Sequence, residues 1–174
     1  YIKKNNLLAN FSIDLEKTKE KINIKKFNFK EGKNSIKVND LNIKKSEFLS
    51  FKEIKVLTPN NDFQINNDKI IVIKGKKFDA TNFSKFLSKQ NDNKLSNLNS
   101  DIEIDFENIK VPMSEKIENF KLIGEIKKGK FVKISAKGDF GGDNYIDITM
   151  KKEKKTEKKF LEIYSDLTRP LLSD

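Results

Sequence analysis

Alternation constrains this chain more than any other property of it. Leu7, Ala9, Phe11, Ile13 and Leu15 are separated by polar residues, and Ile22 and Ile24 resume the pattern after the charged stretch from Glu16 to Lys21. In a strand successive side chains point to opposite faces, so a period of two writes one apolar and one polar face along the backbone. A helix would instead need apolar residues three and four apart. The same pattern returns at Phe27/Phe29, Ile36/Val38, Leu41/Ile43, Ile102/Ile104/Phe106, Ile109/Val111, Phe120/Leu122, Ile134/Ala136, Ile146/Ile148/Met150 and Leu161/Ile163. The expected fold is therefore mainly β.

Interruptions of the pattern are as informative as the pattern. Lys25-Lys26 and Asp40 each shift the alternation by one residue, which exchanges the two faces, so bulges or strand ends are expected there. Turn chemistry stands between the strands at Glu31-Gly32-Lys33-Asn34, Pro59-Asn60-Asn61-Asp62, Asn66-Asn67-Asp68 and Lys128-Gly129. Such short connections favour antiparallel neighbours. One or two short helices are expected beside the strands. Near 79–89, Asp79 is placed to cap a helix, Phe78 to staple onto Phe83, and Phe83, Phe86 and Leu87 to form its apolar stripe. Near 166–174, Asp166 is placed to cap a last helix with Pro170 in its first turn. Residues 90–100 read as a polar loop. The whole of 1–174, opening at Tyr1 and closing on Leu171-Leu172-Ser173-Asp174, reads as a single β segment of a longer protein.

Composition narrows the chemistry. The chain has no Cys and no His, which removes thiol nucleophiles, disulfides, thiolate and imidazole metal ligands and the commonest general base; no enzyme and no cofactor is expected. Its net charge of +10 rests on Lys, since Arg169 is the only arginine. A nucleic-acid reader would carry Arg for bidentate contacts, so no nucleic-acid partner is expected. Asp101, Glu103, Asp105 and Glu107 lie on one face of one strand and read as a solvated face neutralised by cross-strand Lys rather than a Ca²⁺ site. Gly138-Asp139-Phe140-Gly141-Gly142-Asp143-Asn144 reads as a hairpin turn, and Lys151 to Lys159 as a charged hairpin tip. No apolar run of membrane-spanning length is present, so any anchor or export signal is expected outside this segment.

Leu161-Glu162-Ile163-Tyr164-Ser165-Asp166 followed by Leu171-Leu172 resembles the C-terminal region of the AsmA-like family, especially its YhdP-like branch, where a strand runs into Ser-Asp and a helix. The strand through Gly75 into Phe78-Asp79-Ala80 is similar to another recurring step of that family, and the resemblance covers roughly 70–174. Where the family continues Ser-Asp with small residues, this chain has Leu167-Thr168-Arg169-Pro170. The resemblance implies an elongated, curved antiparallel β-sheet groove, a meander or half-open barrel. It also implies a periplasmic location in a Gram-negative bacterium, an inner-membrane anchor outside this segment, and transport of phospholipid acyl chains towards the outer membrane. It supplies no catalytic residues.

On that reading the groove lining includes Ile102, Ile104, Phe106, Ile109, Val111, Leu122, Ile134, Ala136, Ile146, Ile148 and Met150. Two other readings stand beside it. One is a basic β-rich module for nucleic acid or another polyanion; the other is a purely structural envelope segment whose apolar face is filled by its own side chains.

Overall fold

The structure, a computed structural model, describes residues 2–4, 7–44, 47–82, 98–112, 115–152 and 158–167. The strands are β1 (Ile2–Lys4), β2 (Leu7–Lys17), β3 (Lys21–Glu31), β4 (Asn34–Lys44), β5 (Glu47–Ser50), β6 (Glu53–Leu57), β7 (Asp62–Asn67), β8 (Ile71–Asp79), β9 (Ser100–Lys110), β10 (Lys116–Lys127), β11 (Lys130–Gly141), β12 (Asn144–Lys152) and β13 (Lys159–Ser165). All thirteen belong to one sheet whose order follows the sequence, with short β5 set beside β4 off the main path. The path runs from β1 to β13 without returning on itself, so no barrel closes.

The antiparallel meander expected from the short connections holds at every pairing but one. β8 and β9 run parallel, from Ile71 opposite Ile102 to Asp79 opposite Lys110. Parallel neighbours cannot be joined by a tight turn and need a crossover of a dozen residues or more. The 20 residues from 80 to 99 are long enough to supply it. The sheet is therefore mixed.

Both expected helices fall mostly on residues outside the described ones, and among the described residues no α-helix is present. The local chemistry at their starts is visible. The Asp79 carboxylate accepts the backbone N–H of Thr81 at 3.1 Å and its hydroxyl at 2.6 Å, as a capping side chain does. Phe78 lies against Phe106 and Phe63, with ring centroids 5.4 and 5.7 Å away; Phe83, its expected partner, lies outside the described residues. Asp166 accepts the Tyr145 N–H at 2.8 Å and the Tyr164 hydroxyl at 2.9 Å, which ties the end of β13 to the start of β12.

Bulges stand where the alternation slips. Asp14 pairs with Lys26 and Leu15 with Ile24, so Lys25 is the extra residue of β3. Asp40 has φ 53°, and across it the apolar positions of β4 pass from Val38 to Leu41. A third bulge, at Asn119 with φ 51°, shifts β10 by one residue against β11. Its sequence mark is the three-residue step from Ile117 to Phe120. The tight turns at Lys128-Gly129 and Gly142-Asp143 have both central residues at positive φ, the hand that matches strand twist.

The core sits on one face of the sheet. Phe106, Ile109, Ile117 and Ile146 form one buried cluster, flanked by Phe63, Phe78, Phe120 and Phe140; Ile71, Ile102 and Ile126 form a second. Each such side chain contributes about 1.5–3 kcal/mol by leaving water.

Candidate apolar groove

Residues opposite each other in neighbouring strands share a face, so the pairing register can be followed across the sheet. Starting at Ile13, it runs through Phe27, Val38, Ile54, Ile65, Ile73, Ile104, Leu122, Ala136 and Ile148 to Ile163. This row is apolar at every one of its eleven positions. At 4.7–4.9 Å between strands it measures roughly 48 Å. One residue away, on the other face, the row reads Ser12, Asn28, Lys37, Lys55, Gln64, Lys74, Asp105, Lys121, Lys137, Asp147, Tyr164. Along these two rows the sheet is two-sided, one side apolar and the other polar.

All eleven sequence-nominated lining residues belong to the apolar side. Ile102, Phe106, Ile109, Ala136 and Ile146 are buried, with Ala136 and Ile146 each only 2% exposed. Ile104, Val111, Leu122, Ile134, Ile148 and Met150 are half-buried. The centre of this face, from β7 to β12, thus mixes side chains buried against one another with half-buried ones. The margins differ. Phe11, Ile13 and Leu15 on β2, and Leu161 and Ile163 on β13, continue the same face and are 45–53% exposed. The nomination missed the first half of the face, although Phe11, Ile13, Phe27 and Val38 carry the same alternation as the second half.

Two glycines make the central packing possible. Gly75 stands between Phe63 and Phe106 in the register, and the two rings meet over it with centroids 6.0 Å apart. A Cβ at Gly75 would lie 2.5 Å from the Phe63 Cβ. Gly138, paired with Ile146 on β12, plays the same part on β11: a Cβ there would sit 3.1 Å from the Phe120 ring and 3.3 Å from Ile146, and closer still to Ile117. An empty position on an apolar face lets large neighbours from both sides close the gap.

The polar face is laced with ion pairs. Glu125 accepts Lys127 at 2.6 Å and Lys133 at 2.8 Å, and these hydrogen bonds hold its carboxyl well below the ordinary range, at about 2. Lys25 meets Glu16 at 2.5 Å, Lys116 meets Glu118 at 2.6 Å, and Lys151 pairs with Glu162 across β12 and β13. A concavity of about 760 Å³ on this side is lined by Lys37, Lys55, Lys74 and Lys76 but also by Asp62, Asp105 and Glu107, so its charge is mixed. Asp105 lies between Lys74 and Lys121 in the register, which fits the reading of the β9 carboxylates as a neutralised surface. Among the described residues no group of three or more acidic side chains could hold a metal ion. No helix among them is long and apolar enough to cross a membrane.

Comparison with protein-family models, with curated proteins and with solved structures finds no match to the chain.

Proposed function

We propose that the apolar face is a path for hydrocarbon, and that the chain is a segment of an envelope protein of AsmA-like type that moves phospholipid acyl chains between membranes. The observation that carries this reading is the uninterrupted apolar row from Ile13 to Ile163. A core needs apolar residues only where the sheet is covered; a row that stays apolar out to half-exposed margins is suited to an apolar guest. Its length of roughly 48 Å exceeds the about 30 Å hydrocarbon thickness of a bilayer. Each CH₂ moved from lipid into water costs about 0.8 kcal/mol, so a sixteen-carbon chain faces roughly 12 kcal/mol without such a surface. Contact of this kind is non-directional and selects weakly among lipids. Hydrocarbon would touch the open margins on β2–β3 and β12–β13 first, with headgroups left in water near the Lys-rich ends.

The buried positions at the centre favour a second reading, a structural segment whose apolar face serves only its own stability. One experiment separates the two. Protein purified from cells and examined by native mass spectrometry should retain phospholipid, and Ile13→Lys together with Ile163→Lys should remove most of it while the far-UV circular dichroism stays unchanged. Absence of lipid from the unmodified protein, or equal retention by the double variant, favours the structural reading.

A further inference from the structure

The two rims of the sheet, where strands end and turn, differ in charge. Following strand direction through the pairings puts the turns β2–β3, β7–β8 and β10–β11 on one rim and β3–β4, β6–β7 and β11–β12 on the other. Each of these turns joins two strands of the sheet directly. In residues 17–21, 67–71 and 127–130 lysine outnumbers acid seven to two, and all seven lysines are exposed; in 31–34, 57–62 and 141–144 acid outnumbers lysine three to one. Backbone conformation sharpens the contrast. On the acidic rim the positive-φ positions are filled by Gly32, Gly141, Gly142 and Asp143, residue types suited to them, whereas on the basic rim Lys128 takes φ 51° ahead of Gly129. A lysine there weakens the turn but puts its charge at the tip, which Asn99 holds in place by accepting the Lys128 N–H at 2.9 Å.

A concavity of about 540 Å³ on the basic rim is lined by Thr18, Lys19, Glu20, Lys21 and Lys44. The turn under it is fixed, with the Thr18 N–H donating to the Lys21 carbonyl at 2.8 Å and the Lys21 N–H to the Thr18 hydroxyl at 3.0 Å. The register sets Lys21 directly opposite Lys44, a like-charge pair that destabilises a sheet until an anion joins it. Glu20 reaches Lys44 at 3.5 Å, while Lys19 and Lys21 make no ion pair among the described residues. We propose that the basic rim holds the phosphate of a lipid whose hydrocarbon lies on the apolar face, with Lys19 and Lys21 as its ligands at the β2–β3 corner; this rests on the hydrocarbon path and names the headgroup that travels with it. The dimensions agree. From the apolar row to the rim is four residues, Ile13 to Lys17, on β2 and six, Leu122 to Lys128, at β10, or roughly 14 and 20 Å at 3.4 Å per residue. One leaflet of bilayer hydrocarbon is about 15 Å deep. An acyl chain laid along a strand from the row therefore brings its phosphate to the lysine tips, and Lys17 continues the face that Ile13 and Leu15 begin. Because the other rim is acidic, every bound lipid faces the same way.

Two triple variants of equal charge test the rim. Lys19→Gln, Lys21→Gln and Lys128→Gln neutralise the basic rim; Lys30→Gln, Lys33→Gln and Lys110→Gln, at exposed positions of the other rim, change the net charge by the same amount. The whole chain, freed of lipid and titrated in detergent with phosphatidylglycerol or with diacylglycerol of the same acyl chains, should bind the phospholipid roughly tenfold more tightly by native mass spectrometry. The basic-rim variant should lose that preference and keep its diacylglycerol binding, and the other variant should keep both. A preference that survives in the basic-rim variant, or falls equally in both, overturns the rim assignment and leaves the hydrocarbon path standing. Displacement of phosphatidylglycerol by inorganic phosphate at matching concentration would make the rim a site for free anions and overturn the lipid assignment. Failure of the unmodified chain to bind either lipid overturns the hydrocarbon path itself, and the rim assignment with it.

Discussion

At the scale of single residues, glycine and glutamate carry more of this sheet than their chemistry suggests. Gly75 is the gap over which Phe63 and Phe106 meet, and a methyl group there would overlap the β7 side chain. Gly75→Ala should therefore destabilise the chain by about 1–3 kcal/mol in urea denaturation, as overpacking does elsewhere. Gly32 is constrained for a different reason: the space around it is open, but its φ of 56° is one that L side chains rarely adopt. Glu125 sets an acid limit. Its folded carboxyl titrates near 2 against an ordinary value of 4.5, so the stabilisation is complete above the ordinary value and disappears as pH falls through about 2. Urea midpoints of the wild type and Glu125→Gln, compared from pH 6 to pH 2, should differ at the upper end and converge at the lower.

At the scale of elements, alternation revealed the strands, and the two odd steps at Lys25-Lys26 and Asp40 revealed where the faces slip. These are local properties, fixed by which side each residue must take. Direction of pairing is not local, and nothing in Ile71–Asp79 or Ser100–Lys110 distinguishes a parallel neighbour from an antiparallel one. The mixed sheet therefore stayed hidden until the β8–β9 register was seen. The lining residues could be read as one face for the same reason that the strands could. Which of them are filled in could not, because burial depends on Gly75 and Gly138 sitting opposite aromatic residues from other strands. Edge position has its own consequence. Amides of β2 and β13, unpaired along most of one flank among the described residues and carrying half-exposed side chains, should exchange with deuterium faster than those of β9, β10 and β11. Equal protection across the sheet in a hydrogen-exchange measurement would contradict that ordering.

At the scale of the whole molecule, the parity of the strands links the fold to the proposals. A single parallel junction gives β2 and β13 opposite directions, and the apolar row that crosses this junction without a break is what would make the sheet useful to a hydrocarbon guest. The same layout governs how the chain tolerates change. Among the described residues, backbone proximity runs mainly between strands that are hydrogen-bonded neighbours, with side chains reaching one strand further across Gly75 and Gly138, much as solenoid repeats lean on adjacent repeats. Evolution can therefore lengthen or shorten this sheet by whole hairpins, two strands at a time. Gain or loss of a lone strand would reverse the direction of every strand downstream and force a new long crossover somewhere in the sheet.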